Sequence, residues 1–230
     1  RFHPLGARKD FAHPGTRIWR DRETVVVPLD GDDETLEAGY SDAQSRNLRT
    51  ARNAGLTCAE DTSWRGLADF RGIYAETMRA LGASAFYDFD AGYFAALLDG
   101  LGQRCRLFLV RLGDTPIAGA LALFGPEAAH YHLAGSSHAH RALCPNNLLI
   151  HEIARAARAR GLSRLHLGGG RTAGSDDPLF RFKARFSKTR AELHLGARVV
   201  DADAHANLMA LWRAQGGEAP EGYLQAYRLK

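Results

Sequence analysis

Long apolar runs are missing from this sequence. The longest, such as Ile117 to Phe124, fall far short of the roughly 20 residues that a membrane-crossing helix needs, and no basic stretch followed by an apolar one opens the chain. A soluble protein is the expectation. Cysteine is scarce: Cys58, Cys105 and Cys144 are the three, odd in number and far apart, which argues against a disulfide framework and against paired metal knuckles and fits a reducing cytoplasm. Internal repeats and low-complexity linkers are lacking too. Charge of one sign is in short supply, because a formal +4 over 230 residues permits an anionic partner without demanding one. What is present, 45% apolar and 24% charged residues, suffices for one large core or two small ones. The chain opens on Arg1 rather than Met, which suggests that an upstream portion is missing.

Up to about Gly31 the one convincing strand is Thr24 to Leu29, set among Gly, Pro and charged residues. Ser41 followed by Gln44 makes a capping-box pattern, and the helix it opens should run to Gly55, a residue suited to the left-handed position after a helix end. A second helix is predicted from about Ser63 to Leu81, with Trp64, Leu67, Phe70, Tyr74, Met78 and Leu81 on one apolar stripe. Asp90 can cap a third, with Phe94, Leu97, Leu98 and Leu101 turned inward. The period then changes. Arg106 to Leu112, Thr115 to Phe124 and Ala128 to Ala134 alternate as strands do, and Gly113-Asp114 and Gly125-Pro126-Glu127 between them are hairpin signals for an antiparallel meander. An amphipathic helix over Asn146 to Arg160, a strand over Ser163 to Leu167, a break at Gly168-Gly169-Gly170 and a closing hairpin from Ala191–Leu195 and Arg198–Asp201 complete an α+β order.

Several short words in the chain carry more information than that order. They are Arg46-Asn47-Leu48-Arg49-Thr50-Ala51-Arg52-Asn53-Ala54-Gly55, Tyr74-Ala75-Glu76-Thr77-Met78, His130-Tyr131-His132-Leu133-Ala134-Gly135-Ser136, Leu167-Gly168-Gly169-Gly170 and Leu179-Phe180-Arg181-Phe182-Lys183-Ala184-Arg185-Phe186. In order and spacing the chain resembles the FemABX family, the aminoacyl-tRNA-dependent transferases of peptidoglycan cross-bridge synthesis, and their relatives on the GNAT fold. The resemblance implies a GNAT-like, mainly antiparallel sheet flanked by helices. It implies that residues 1–40 are the remnant of a first GNAT-like half and residues 41–230 the acyltransferase domain. It also implies an activity, transfer of an aminoacyl or acyl group to an amine in the modification of a cell-wall precursor. The helical coiled-coil arm that some tRNA-dependent members insert has no counterpart here, which counts against tRNA as a partner.

The run from Phe180 to Phe186 is the most informative for chemistry. Read as extended chain, it sends the phenylalanines one way and Arg181, Lys183 and Arg185 the other, lining one wall of a groove; the plainer alternative is a strand whose cations face water. The family resemblance carries a Phe-Lys step onto Phe182 and Lys183, beside the reacting carbonyl. When an amine attacks an ester or thioester, negative charge gathers on the carbonyl oxygen, and a fixed ammonium stabilises it. No Ser/His/Asp or Cys/His set is required, since the donor is already activated. Asp176 and Asp177 precede the run, and either could accept the amine's proton; Asp-Pro is equally an ordinary turn. Candidate substrate contacts are Arg46 and Arg49, which with Arg52 form a basic ridge along the first helix, together with Tyr131, Gly169, Arg181 and Arg185. The triple glycine could admit a ligand close to the backbone but lacks nucleotide-fingerprint spacing. His130 and His132 read as stacked strand histidines rather than metal ligands.

The donor is left open between aminoacyl-tRNA and acyl-CoA, with no tightly bound cofactor expected. An acetyl-CoA enzyme of the GNAT kind normally binds the pyrophosphate at a short glycine-rich turn opening a helix. The corresponding segment here, Ala134 to Pro145, has no second glycine after Arg141, which favours the Fem-like donor. An acyl-CoA-dependent enzyme with a divergent loop, and a non-catalytic binder of an anionic glycan precursor, are the alternatives.

Overall fold

The computed structural model of the chain describes residues 2–6, 13–218 and 227. Its elements run β1 (Arg17–Pro28), α1 (Asp33–Ala38), α2 (Asp42–Asn53), β2 (Leu56–Glu60), α3 (Leu67–Ala80), α4 (Ala91–Leu101), β3 (Cys105–Leu112), β4 (Thr115–Phe124), β5 (Ala128–Ser136), α5 (Pro145–Ala159), β6 (Arg164–Gly168), α6 (Pro178–Ala184), β7 (Arg190–Ala197) and α7 (Ala202–Ala214). The strands lie in the order β2-β3-β4-β5-β6-β1-β7. The chain divides into two compact units, Glu23–Ala191 and a smaller one made of Arg1–Arg22 with Glu192–Lys230.

Within the larger unit the predicted meander is present: β3 pairs antiparallel with β4, and β4 with β5. β2 extends it on the far side of β3. Alternation on β3 sorts its side chains onto two faces. Phe108 and Val110 join a core that includes Leu48 of α2 and Leu149, Ile150 and Ile153 of α5. Leu107 and Leu109 join a second core with Phe70 and Tyr74 of α3 and Phe94 of α4. Phe70 and Phe94 are essentially fully buried, a contribution of about 1.5–3 kcal/mol each relative to exposure. The stripe along α3 therefore points inward as its spacing predicts, except at Leu81, which lies just past the helix end and is 49% exposed. The helix also begins at Leu67 rather than Ser63, because Asp61 holds the preceding turn through the backbone N–H groups of Ser63 and Gly66.

The caps form where the residue types call for them. Ser41 Oγ accepts from Gln44 N at 3.3 Å, and Asp90 accepts from Tyr93 N at 2.8 Å. α3 crosses β5 at very close range. A β-carbon placed on Gly135 would lie 2.9 Å from Ile73 O and from Tyr74 Cα, so only glycine lets the helix backbone rest on the strand. Thr77 Oγ1 fastens this crossing, donating to Ile73 O and receiving Ser136 N. The quoted words around Tyr74 and His130 are thus the two sides of one contact.

α5 carries the chain from β5 to a parallel neighbour, β6, paired at Ala128↔Arg164, Ala129↔Leu165 and His130↔His166. Pairing ends there, while β5 continues to Ser136 and β6 to Gly168. The two parallel strands part, and the sheet opens beyond residues 130 and 166. A bulge between Leu121 and Ala122 skips His132, so that Tyr131 opposite Ala122 packs on the α5 side while His132 meets Tyr93 of α4. β1 closes the other edge of β6 through the pairs Val25↔Gly168 and Val26↔His166.

Two sequence expectations are corrected here. The run Phe180 to Phe186 is not extended: Pro178–Ala184 is the helix α6, because Asp177 is its N-cap and Pro178 occupies its first position, where proline needs no N–H. The closing hairpin is absent as well. In the smaller unit β7 is followed by α7, whose N-cap is Asp201, accepting from Ala204 N at 2.8 Å, so Arg198–Asp201 leads into a helix. That unit also holds a bridge between Phe2 and His194.

Candidate active site

Where β6 runs out, the chain turns through Gly168, at φ +78°, into the loop that precedes α6. Asp177 organises this loop. Its Oδ1 accepts Leu179 N at 2.9 Å and Phe180 N at 3.0 Å, and its Oδ2 accepts Thr172 N at 2.9 Å and Thr172 Oγ1 at 3.2 Å. One carboxylate thus both starts the helix and clasps the loop. Burial raises its affinity for a proton, but these donors outweigh that and hold its pKa down, at about 2. Gly170 lies so near that a β-carbon there would overlap the carboxylate, which explains a glycine at this point of the triplet.

Lys183 leaves the last turn of α6 and is only 9% exposed. Its Nζ donates to Gly169 O at 2.9 Å, one residue past the end of β6. No carboxylate forms an ion pair with it among the described residues. Burial lowers its proton affinity to about 8, the field of Asp177 acting in the opposite sense. At neutral pH it is mostly an ammonium, with two N–H bonds beyond the one given to Gly169. Such a group, fixed and desolvated, is suited to a developing oxyanion.

The helix that presents it is held at both ends. Asp177 fixes the start, and Ser41 N donates to Arg185 O at 2.8 Å at the finish. Beneath, Phe180 and Phe186 are buried in the larger core and Phe182 packs partly against it. Phe182 meets Phe186 edge-on at 5.6 Å, and Phe186 meets Tyr40 likewise at 5.6 Å. Tyr40 Oη lies 3.1 Å from His151 Nδ1, and Arg52 Nη2 donates to His151 Nε2 at 3.1 Å. Because arginine can only donate, Nε2 accepts and Nδ1 carries the proton given to Tyr40. Burial brings the His151 pKa down to about 4, more than Glu37 raises it, so the imidazole is neutral. Glu37 in turn accepts from both terminal nitrogens of Arg52.

The structure thus brings together Lys183, Asp177 and Gly169, while Phe182 packs against the larger core and Phe186. Arg181 and Arg185 do not share a wall with Lys183; on a helix they turn outward and are exposed. Arg46 and Arg49 are exposed on α2, and Arg52 of the same ridge is engaged by Glu37 and His151. Tyr131 is half-buried in the larger core, where burial holds its phenol well above the usual range. His130 stacks on His166 at 4.9 Å, their Nδ1 atoms 2.8 Å apart. Sequence reasoning missed Thr172 and the His151 network. A signal for the first was there: aspartate before proline is an N-cap before N1 as well as a turn.

Between β5 and α5, where a coenzyme A pyrophosphate would be bound, the segment folds into a tight turn over His138–Leu143. In and just after that turn His140 N is taken by Ser137 O, Cys144 N by Arg141 O and Asn147 N by Cys144 O, while His138 N is taken by Glu76 Oε1 of α3 at 3.0 Å. Cys144 itself is left-handed at φ +57°.

A model of the acetyltransferase (GNAT) domain matches residues 42–184. The chain belongs to the GNAT family. It is an acyltransferase domain, and its sheet is the mixed, mainly antiparallel GNAT sheet. Among solved structures this GNAT domain is similar to FemX, with a TM-score of 0.68 and 17% identity over 92% of this chain and 66% of that one. It is similar also to the C-terminal domain of a putative lysylphosphatidylglycerol synthetase from Agrobacterium fabrum, at 0.59 and 17% over 86% and 66%. L-PGS from Bacillus licheniformis stands at 0.57 and 13%, again over 86% and 66%. At such identities the likeness is one of fold. The chain spans 66% of the length of each of these three. A search of curated proteins found no match. No helix among the described residues is long and apolar enough to cross a membrane.

Proposed function

We propose that this GNAT domain forms an amide by moving an aminoacyl or acyl group from an activated ester or thioester to an amine, with Lys183 stabilising the oxyanion of the transfer step. The observation that carries this is the buried ammonium of Lys183, held by Gly169 O at 2.9 Å one residue past the end of β6. The amine adds to the donor carbonyl, charge gathers on its oxygen, and the N–H groups of Lys183 turned away from Gly169 meet it. Collapse expels the alcohol or thiol. Asp177 is a positioning residue in this scheme, since both of its oxygens are occupied and its pKa is too low for a base; Asp176, exposed on the same loop, accepts the proton. Phe182 anchors α6 on the core through Phe186. The exposed Arg46, Arg49, Arg181 and Arg185 supply positive charge for an anionic acceptor, consistent with a cell-wall precursor or a lipid headgroup. The similarity to FemX and to a protein named for lysylphosphatidylglycerol, an aminoacylated lipid, supports that class of substrate.

GNAT acyltransferases use acyl-CoA, yet here no second glycine opens the turn and the amides of His138, His140, Cys144 and Asn147 are already engaged. We therefore place the Fem-like donor ahead of coenzyme A. Calorimetric titration with acetyl-CoA should show weak binding or none; a micromolar dissociation constant reverses the order of the two donors. The catalytic reading is tested by turnover of wild type, Lys183→Ala and a Lys188→Ala control. Loss of one oxyanion donor lowers turnover by about 10² to 10³ fold. Wild-type turnover in Lys183→Ala ends the proposal.

A further inference from the structure

Lysine is rare in this protein. Of its thirty lysines and arginines, only Lys9, Lys183, Lys188 and Lys230 are lysines. An arginine stays charged at any pH a protein tolerates, whereas a lysine that is desolvated gives up its proton and becomes a nucleophilic amine. Two lysines lie among the described residues, and they differ. Lys188 is exposed, while Lys183 is buried inside the loop clasp at the end of β6. A buried cation normally brings an anion with it. Asp177 is the acid whose field reaches Lys183, but its four donors are Leu179 N, Phe180 N, Thr172 N and Thr172 Oγ1, and none is the lysine. The contact Lys183 does make, N–H to Gly169 O, is strongest from an ammonium, but an uncharged amine or an amide N–H can also make it. The place therefore admits a nitrogen that donates one hydrogen bond, charged or uncharged, with no ion-pair partner among the described residues to hold it as a cation.

We propose that Lys183 is itself an acyl acceptor: when no amine substrate is present, its uncharged Nζ attacks the activated carbonyl delivered to it, and the acyl-lysine so formed silences the enzyme. The proposal rests on the preceding reading in one respect, that the donor carbonyl comes to Nζ. A C–N bond forms at the carbonyl carbon. The C–S bond of a thioester, or the C–O bond of an oxygen ester, breaks. The thiol or alcohol leaves with the proton that Nζ loses, and no further reactant enters. The product amide keeps an N–H for Gly169 O, so α6 stays in place, but it has no charge to offer an oxyanion. With a pKa of about 8, roughly a tenth of the molecules carry the amine at pH 7, against on the order of one in a few thousand for an ordinary lysine.

The 230-residue chain is incubated at pH 7 with S-acetyl-N-acetylcysteamine, a small uncharged thioester, and acetylation at Lys183 and Lys188 is followed by peptide mass spectrometry. Lys183 should react at least ~10-fold faster than Lys188. That preference should fall away by pH 10 and vanish in urea, where both lysines are equally open. Acetylation of Lys188 as fast as Lys183 in the folded protein at pH 7 overturns the inference. The turnover of Lys183→Ala separates the two proposals: normal turnover with preferential labelling sinks the oxyanion role and the silencing that depends on it while leaving Lys183 as an acyl acceptor, and lost turnover without preferential labelling sinks only the acylation.

Discussion

At Lys183 packing and chemistry pull in opposite directions, because burial favours the amine while an oxyanion needs the ammonium. The compromise has a measurable sign. The folded pKa, about 8, lies below that of an unfolded lysine, near 10.4, so between those values the unfolded chain binds more protons and stability rises with pH. Lys183→Met keeps the length of the side chain and removes the titration. The free energy of unfolding of wild type relative to Lys183→Met should therefore move in favour of wild type from pH 8 to about 10.5, as measured by urea denaturation; a constant difference across that window refutes the depressed pKa. Lys183 was singled out in the sequence through the Phe-Lys step. Its burial and its carbonyl partner were not legible, since both depend on Gly169 arriving from a different element.

At the scale of elements, two contacts decide where the site lies: the crossing of α3 over β5, and the cap of α6. Gly135→Ala puts a methyl group against backbone rather than a pliable side chain, and such overpacking costs about 1–3 kcal/mol. The melting temperature should drop by several degrees, and an unchanged value would show that α3 can lift from the strand. Asp177→Ala should cost about 1–2 kcal/mol as the loss of a cap, and turnover should fall with it because Lys183 loses its register. The folded pKa of Asp177 is below its unfolded value, so the carboxylate supports the fold above pH ~4 and that support is lost as pH falls toward 2. Meander, caps and stripe were legible because each is set by neighbours in sequence. α6 was misread for a related reason: alternating Phe and cation fits a strand over seven residues, and what overrides it is one capping aspartate followed by proline.

For the larger unit as a whole, acid sensitivity should be set by His151. Its neutral imidazole is braced by Arg52, Glu37 and Tyr40 from α2 and the segment before it. With a folded pKa of about 4 against about 6.5 unfolded, the unfolded chain takes up the extra proton between these values and stability falls as pH drops through that window. His151→Gln should blunt this loss, seen as a smaller change in melting temperature between pH 7 and 4.5. Nothing along the chain announces this network, because its members come from residues 37 to 151 and meet only after α2 and α5 have packed. The division into Glu23–Ala191 and a second unit drawn from both ends was equally invisible to a reading that proceeds from one residue to the next.

The four-donor carboxylate of Asp177 has one more consequence, in the language of hydrogen exchange. Thr172, Leu179 and Phe180 are amides of a loop and of a first helical turn, yet all three depend on the same acceptor. They cannot open one at a time without leaving that carboxylate partly bare in a buried place. Their exchange with deuterium should therefore report a single opening event with one shared free energy, and the loop and the start of α6 should flicker as one body.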